Sequence, residues 1–209
     1  MFVTMARAPI GRQQLLDAAR EELVRGNGVM ELSALTRRAG LSTGALYHHF
    51  GSKSGLLMAI YDGFYERLRE AIADTHLPAD ADWATREHER TRLFVARHFA
   101  DPLAPILLNR ATMDPQLPEL EAAYLQKLID NAAGNIRHGQ QLGQLPADLD
   151  PNSAGAYIIG GLRHGIAQQL RTTPLPSPDK VTERLWRLTA AALGIAGQRS
   201  NSMGRSDEW

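Results

Sequence analysis

Two features of this sequence have the residue types of covalent chemistry, and each lacks what that chemistry requires. The string GLSTG, Gly40 to Gly44, has the G-x-S-x-G spacing of a hydrolase nucleophile elbow, in which a serine sits on a sharp turn between a strand and a helix. Helical spacing precedes Ser42, and its hydroxyl stands where a helix N-cap belongs, so it reads as a cap rather than a nucleophile. Seven histidines are present, including the adjacent pair His48-His49, but none lies four residues from another, the spacing that sets two imidazoles on one helical face for zinc. The chain has no cysteine, which removes thiolate ligands, cysteine nucleophiles and disulfides together. No grouping of acid, base and nucleophile emerges, and no metal or cofactor is implied. The chain reads as a binding protein, not an enzyme.

Binding chemistry is concentrated elsewhere. In the segment Leu32–Leu57, Leu35 and Ala39 form the inner face of one short helix, and Gly40 permits the left-handed turn that ends it. Ser42 caps a second, Thr43–Phe50, in which Leu46 and Phe50, four apart, point inward while Thr43, Gly44, Tyr47 and His48 project outward. Leaving a hydroxyl, an aromatic ring and an imidazole on one exposed face suggests a partner. A DNA major groove fits, because it admits one α-helix whose side chains meet base edges while nearby amides and cations hold phosphates. Ser52 would cap the next helix and place Lys53 at its positive end, facing a phosphate. The alternative for Tyr47 and His49 is packing between helices.

This segment resembles the DNA-binding motif of the tetracycline-repressor (TetR) family, which typically shows an Ala-Gly-Val-Ser turn, then Lys-Gly-Thr-Leu-Tyr, an aromatic or His, His-Phe, and a Lys shortly afterwards. The corresponding residues are Ala39-Gly40-Leu41-Ser42, then Thr43-Gly44-Ala45-Leu46-Tyr47-His48-His49-Phe50, and Lys53. Carried over position by position, the resemblance implies phosphate or base contacts from Ser42, Thr43, Gly44, Tyr47, His48 and Lys53. Thr43 and Ala45 stand where the family usually has Lys and Thr. Glu31 stands where a threonine commonly touches phosphate, and a carboxylate there would be repelled.

The elements that must position this motif read as helices throughout, with no confident strand, so the fold class is all-α. A helix over about 12–25 with Leu15, Ala18, Ala19 and Leu23 on one face completes a three-helix head, 1–55. Apolar residues three or four apart from Leu57 to Ile72 mark a longer helix over about 52–75, leading into a larger body, 56–196. Within the body a helix is expected over about 119–140 and another over about 179–193, and Asp101-Pro102, Asp150-Pro151 and Ser177-Pro178 each suit a helix start. The polar residues 197–209 read as a disordered tail.

The net charge is zero, but residues 7–53 carry seven cations against four anions, a mild basic bias at the head. No stretch reaches the roughly 18 apolar residues of a membrane helix, so a cytoplasmic protein without membrane attachment is expected. Glycines at 155, 160, 161 and 165, in the apolar run that follows Asp150-Pro151, suggest close approach of another backbone, either within the chain or from a second subunit. TetR-type proteins dimerise through their last two helices, and their bodies usually enclose a pocket for a small-molecule inducer that releases DNA. The resemblance therefore implies a ligand-responsive repressor that binds palindromic operator DNA as a homodimer. Phe64, Phe94, His98, Tyr124 and Tyr157 are the candidate pocket residues, as aromatic and imidazole groups at helical spacing, with core packing as the alternative role for each. A second possibility is a DNA-binding protein of this fold acting through a protein partner.

Overall fold

The computed structural model describes residues 10–73, 77–78, 80–109 and 117–195. Among them there are nine helices and no strand, as the helical spacing of the apolar residues requires: α1 (Ile10–Arg25), α2 (Leu32–Ala39), α3 (Thr43–Phe50), α4 (Lys53–Ala73), α5 (Trp83–Ala100), α6 (Ala104–Leu108), α7 (Leu117–Gln141), α8 (Pro151–Gln169) and α9 (Pro178–Ala192). The expected tail, 197–209, lies outside the described residues. No helix among these is long and apolar enough to cross a membrane.

The chain packs as two units, divided after Arg67 in α4, after Asp101 between α5 and α6, and after Glu121 in α7, so that α6 and the first residues of α7 belong with the first unit. The first unit holds α1, α2 and α3, which contact one another. Leu15, Ala19 and Leu23 of α1, Leu35 of α2 and Leu46 of α3 are wholly buried there. The turn between α2 and α3 follows from Gly40, whose φ of 66° is costly for any residue with a Cβ and whose amide donates to the Arg37 carbonyl. Ser42 then starts α3, its Oγ accepting the Ala45 amide at 3.1 Å.

In the second unit α5 packs against α8 and α9. The indole N–H of Trp83 donates to the Asn135 carbonyl at 2.7 Å, and its backbone amide donates to Gln144 Oε1 at 2.7 Å, fixing the start of α5 to α7 and the turn beyond it. Asp150 and Ser177 cap α8 and α9 as their pairing with proline suggests. Asp101-Pro102, in contrast, opens no helix. Asp101 closes α5 as its C-cap, and α6 begins only at Ala104 with Pro105 in its first turn. Proline lacks an amide and tolerates a loop as readily as a first turn, so the dipeptide alone does not separate the two.

The four glycines of α8 divide by environment. A Cβ on Gly155 would lie 3.0 Å from the Ile129 carbonyl oxygen of α7, and one on Gly165 would lie 2.5 Å from Leu185 of α9. Close packing inside the chain accounts for these two. Gly160 and Gly161 have nothing within 4 Å of such a Cβ. They share their side of the helix with Tyr157, which is 72% exposed.

Candidate functional site

The head presents α3 as the sequence pattern requires. Leu46 is fully buried and anchors the helix, whereas Ser42, Thr43, Gly44 and His48 are exposed and Tyr47 is 47% exposed. His49 is half-buried, its ring 5.3 Å from that of His48 and 6.3 Å from that of Phe50. The Arg12 guanidinium stacks over Phe50 at 5.1 Å, joining the first turn of α1 to the end of α3. The exposed face thus offers a hydroxyl, a phenol and an imidazole at the N-terminal and middle turns, the chemistry that meets base edges and phosphates in a groove.

Cations around this face are unequally available. Lys53 is exposed at the start of α4, and its Nζ donates to the Met30 carbonyl at 2.8 Å. Ser52 Oγ accepts the Gly55 amide at 2.9 Å, so the first turn of α4 is capped beside that lysine. Arg38 bridges Glu21 at 3.4 Å and Glu22 at 3.2 Å and serves the α1–α2 contact. Glu31 occupies the N-cap of α2 without a side-chain cap bond and is exposed.

The second unit contains a cavity of about 420 Å³, within the range of small-molecule pockets. Its buried floor is apolar: Phe94 of α5, Ala132 of α7, and Ile158, Ile159 and Leu162 of α8. Ile72, Ala73 and Leu128 add further apolar lining, and the polar groups are Arg69 of α4, Glu87, Arg90 and Thr91 of α5, and Asn131 and Asn135 of α7. Arg90 donates to Glu87 Oε2 at 2.8 Å. Burial pushes the Glu87 carboxyl above its ordinary range, and the adjacent Arg90 opposes that shift.

Of the five aromatic and histidine residues expected at a pocket, Phe94 alone lines this cavity. Phe64 is buried in the first unit, which makes it a core residue there. His98 is buried one turn beyond Phe94, ring against ring at 4.5 Å, with Nδ1 and the Phe94 carbonyl oxygen 2.7 Å apart. Tyr124 lies under the Lys127 ammonium at 5.0 Å. Tyr157 faces outward and not into the floor, because Ile158 and Ile159 take the inward positions of α8. Aromatic spacing therefore does not mark this cavity. The better signal was Glu87, Arg90, Thr91 and Phe94 at spacings of three and four on α5, an amphipathic stripe with charged and hydroxyl members.

Comparison with known proteins places these features in one family. Residues 15–60 match the family model "Bacterial regulatory proteins, tetR family", a span that runs from Leu15 of α1 into α4. The HTH-type transcriptional regulator BetI of Escherichia coli (strain SE11) is 39% identical over 183 residues, covering 81% of this chain and 87% of that protein. The HTH-type transcriptional regulatory protein RaaS of Mycobacterium tuberculosis is 26% identical over 163 residues, covering 77% of this chain and 73% of that one. Among solved structures, Salmonella enterica GusR superimposes with a TM-score of 0.70 at 20% identity, covering 91% of this chain and 98% of that one. FadR from Bacillus subtilis, solved in complex with stearoyl-CoA, gives a TM-score of 0.68 at 20% identity over 86% and 98% of the two chains. The curated relatives named here are transcriptional regulators. The chain belongs to the TetR family of DNA-binding transcriptional regulators.

Proposed function

We propose that this protein is a ligand-responsive repressor: a homodimer that binds palindromic operator DNA through α3 and leaves it when a small molecule fills the body cavity. The observation that carries the DNA half is the division of α3, with Leu46 sealed while Tyr47 and His48 stand in solvent. In this reading Ser42, Thr43, Gly44 and Lys53 hold phosphates, and Tyr47 and His48 meet base edges. Two heads would engage half-sites about 34–36 Å apart, or a multiple of that distance.

The dimer interface is assigned to the open face of α8 and α9. Tyr157, Gly160, Gly161 and His164 form one line on α8, and Leu188 of α9 is 69% exposed. Exposed apolar groups beside uncrowded glycines suit the close crossing of a second pair of helices. The apolar floor of the cavity favours a small-molecule effector over a protein partner.

Selection from a random duplex library by the full-length protein tests this function. An inverted repeat should be recovered, and log affinity should fall with log salt by about 0.9 for each phosphate neutralised. Recovery of no repeat, or binding indifferent to salt, would overturn it.

A further inference from the structure

We infer that the body cavity selects an amphipathic anion, a small carboxylate with an apolar chain or ring, and that Arg90 is the residue that receives its head group. This inference rests on the reading of the body as a ligand-binding module and adds the chemical class of the ligand.

The cavity is apolar at its floor and charged on one side. Phe94, Ile158, Ile159 and Leu162 are each 9% exposed or less, so a polar ligand group placed against them would lose its hydration without gaining a partner. The charged groups come from α4 and α5: Arg69, Glu87 and Arg90. Among the described residues Glu87 is the one carboxylate in the lining, and Arg90 already meets it at 2.8 Å. A ligand ammonium would have to share that carboxylate with Arg90 while lying close to like charge. A ligand carboxylate also comes near Glu87, but the described lining carries two guanidiniums, Arg69 and Arg90, against that one carboxylate, so the balance of charge favours an anion. The guanidinium carries several N–H donors in a fixed plane, and Arg90 offers one of them to Glu87. Those that remain suit a planar carboxylate, and Glu87 acts as a positioning residue that holds the guanidinium at the cavity wall. The Arg90 side chain is 25% exposed and that of Glu87 13%, which places the arginine on the wetter side of the pair. An anion bound there is partly desolvated, so its attraction to Arg90 exceeds what a surface pair would provide.

A head-group series on one chain length tests the inference. Octanoate, 1-octanol and octylamine share an apolar tail and present an anion, a neutral hydroxyl and a cation at pH 7. Calorimetric titration of the full-length dimer should show octanoate binding about ten-fold more tightly than octanol, as expected for one charge-assisted hydrogen-bonding contact, with octylamine weakest. Arg90→Gln should reduce octanoate to the affinity of octanol and leave octanol unchanged. Glu87→Gln should weaken octanoate less than Arg90→Gln does. Should either variant fold poorly, the wild-type comparison of the three probes still decides. Equal binding of all three, a preference for octylamine, or no binding by any of them overturns the anion assignment. Failure of the wider function is distinguished by DNA release: octanoate that binds preferentially yet leaves the operator complex intact supports the pocket chemistry and refutes ligand-induced release. Release by all three probes alike does the reverse.

Discussion

The Lys53 ammonium and the Met30 carbonyl oxygen lie 2.8 Å apart, so the first residue of α4 is tied to the loop that leads from α1 into α2. Met30 itself is buried, and this hydrogen bond orients the backbone just ahead of Glu31, the N-cap of α2. An ammonium has further donors beyond the one spent here, which leaves Lys53 able to meet a phosphate without giving up the tie.

Lys53→Met therefore removes two things at once. Loss of the hydrogen bond should destabilise the head by about 1 kcal/mol. Loss of the cation from both heads should weaken operator binding and make the log-affinity against log-salt slope shallower by about 1.8, about 0.9 for each head. Fluorescence anisotropy across a salt series reads the slope, and thermal melting reads the stability. A stability loss with the slope unchanged would reduce Lys53 to a structural tie and remove it from the DNA interface.

Neighbouring positions on α3 should separate folding from binding. Leu46 is wholly buried, so Leu46→Ala should cost about 2–5 kcal/mol of stability. Tyr47→Ala and His48→Ala, on the exposed face, should change stability by about 0.5 kcal/mol or less and yet weaken operator binding at least about ten-fold. Chemical denaturation alongside duplex titration makes the comparison. Large destabilisation by either surface substitution would show that the ring is a packing element.

The head could be read from its sequence because each of its signals is local. A left-handed glycine, a serine three residues before the amide it caps, and two apolar residues four apart suffice to place Gly40, Ser42, Leu46 and the outward face of α3. The cavity could not be read in this way, since its lining converges from α4, α5, α7 and α8. The buried side of α5 includes Thr91 and His98 and borders the charged pair of Glu87 and Arg90, so no apolar stripe announces the helix. The glycines of α8 were half informative. Composition gives close approach as their reason, but packing shows that Gly155 and Gly165 spend theirs within the chain while Gly160 and Gly161 remain open.

His98 makes stability fall on the acid side of neutrality. Burial lowers its pKa from 6.5 to about 4; the Phe94 carbonyl and Asp101 oppose the shift, and Arg163 and Arg97 reinforce it. The folded state thus binds the proton less readily than the unfolded chain. Its contribution is complete above about pH 6.5 and declines as pH falls toward 4, by about 3 kcal/mol in all. His98→Gln should lower stability at pH 7 but flatten the decline between pH 6.5 and 4. Urea midpoints of both proteins across that range test this, since every other titrating group is common to the pair. Parallel declines would mean that His98 does not titrate there.

The exposed line on α8 and α9 yields the sharpest oligomeric prediction, because a two-fold axis doubles the effect of one substitution. Leu188 is 69% exposed in the single chain, so Leu188→Glu should leave the stability of a protomer within about 0.5 kcal/mol of wild type. In a symmetric interface the same change removes two leucines from apolar surroundings and introduces two carboxylates near the axis. At about 1.5 kcal/mol or more for each leucine, the dimer dissociation constant should rise by at least about a hundred-fold. Sedimentation velocity at micromolar protein reads the dissociation directly. Operator binding should weaken in step, because a single head retains one half-site's contacts alone. A variant that remains dimeric would place the interface elsewhere, whereas a monomer with undiminished operator affinity would refute the requirement for paired heads.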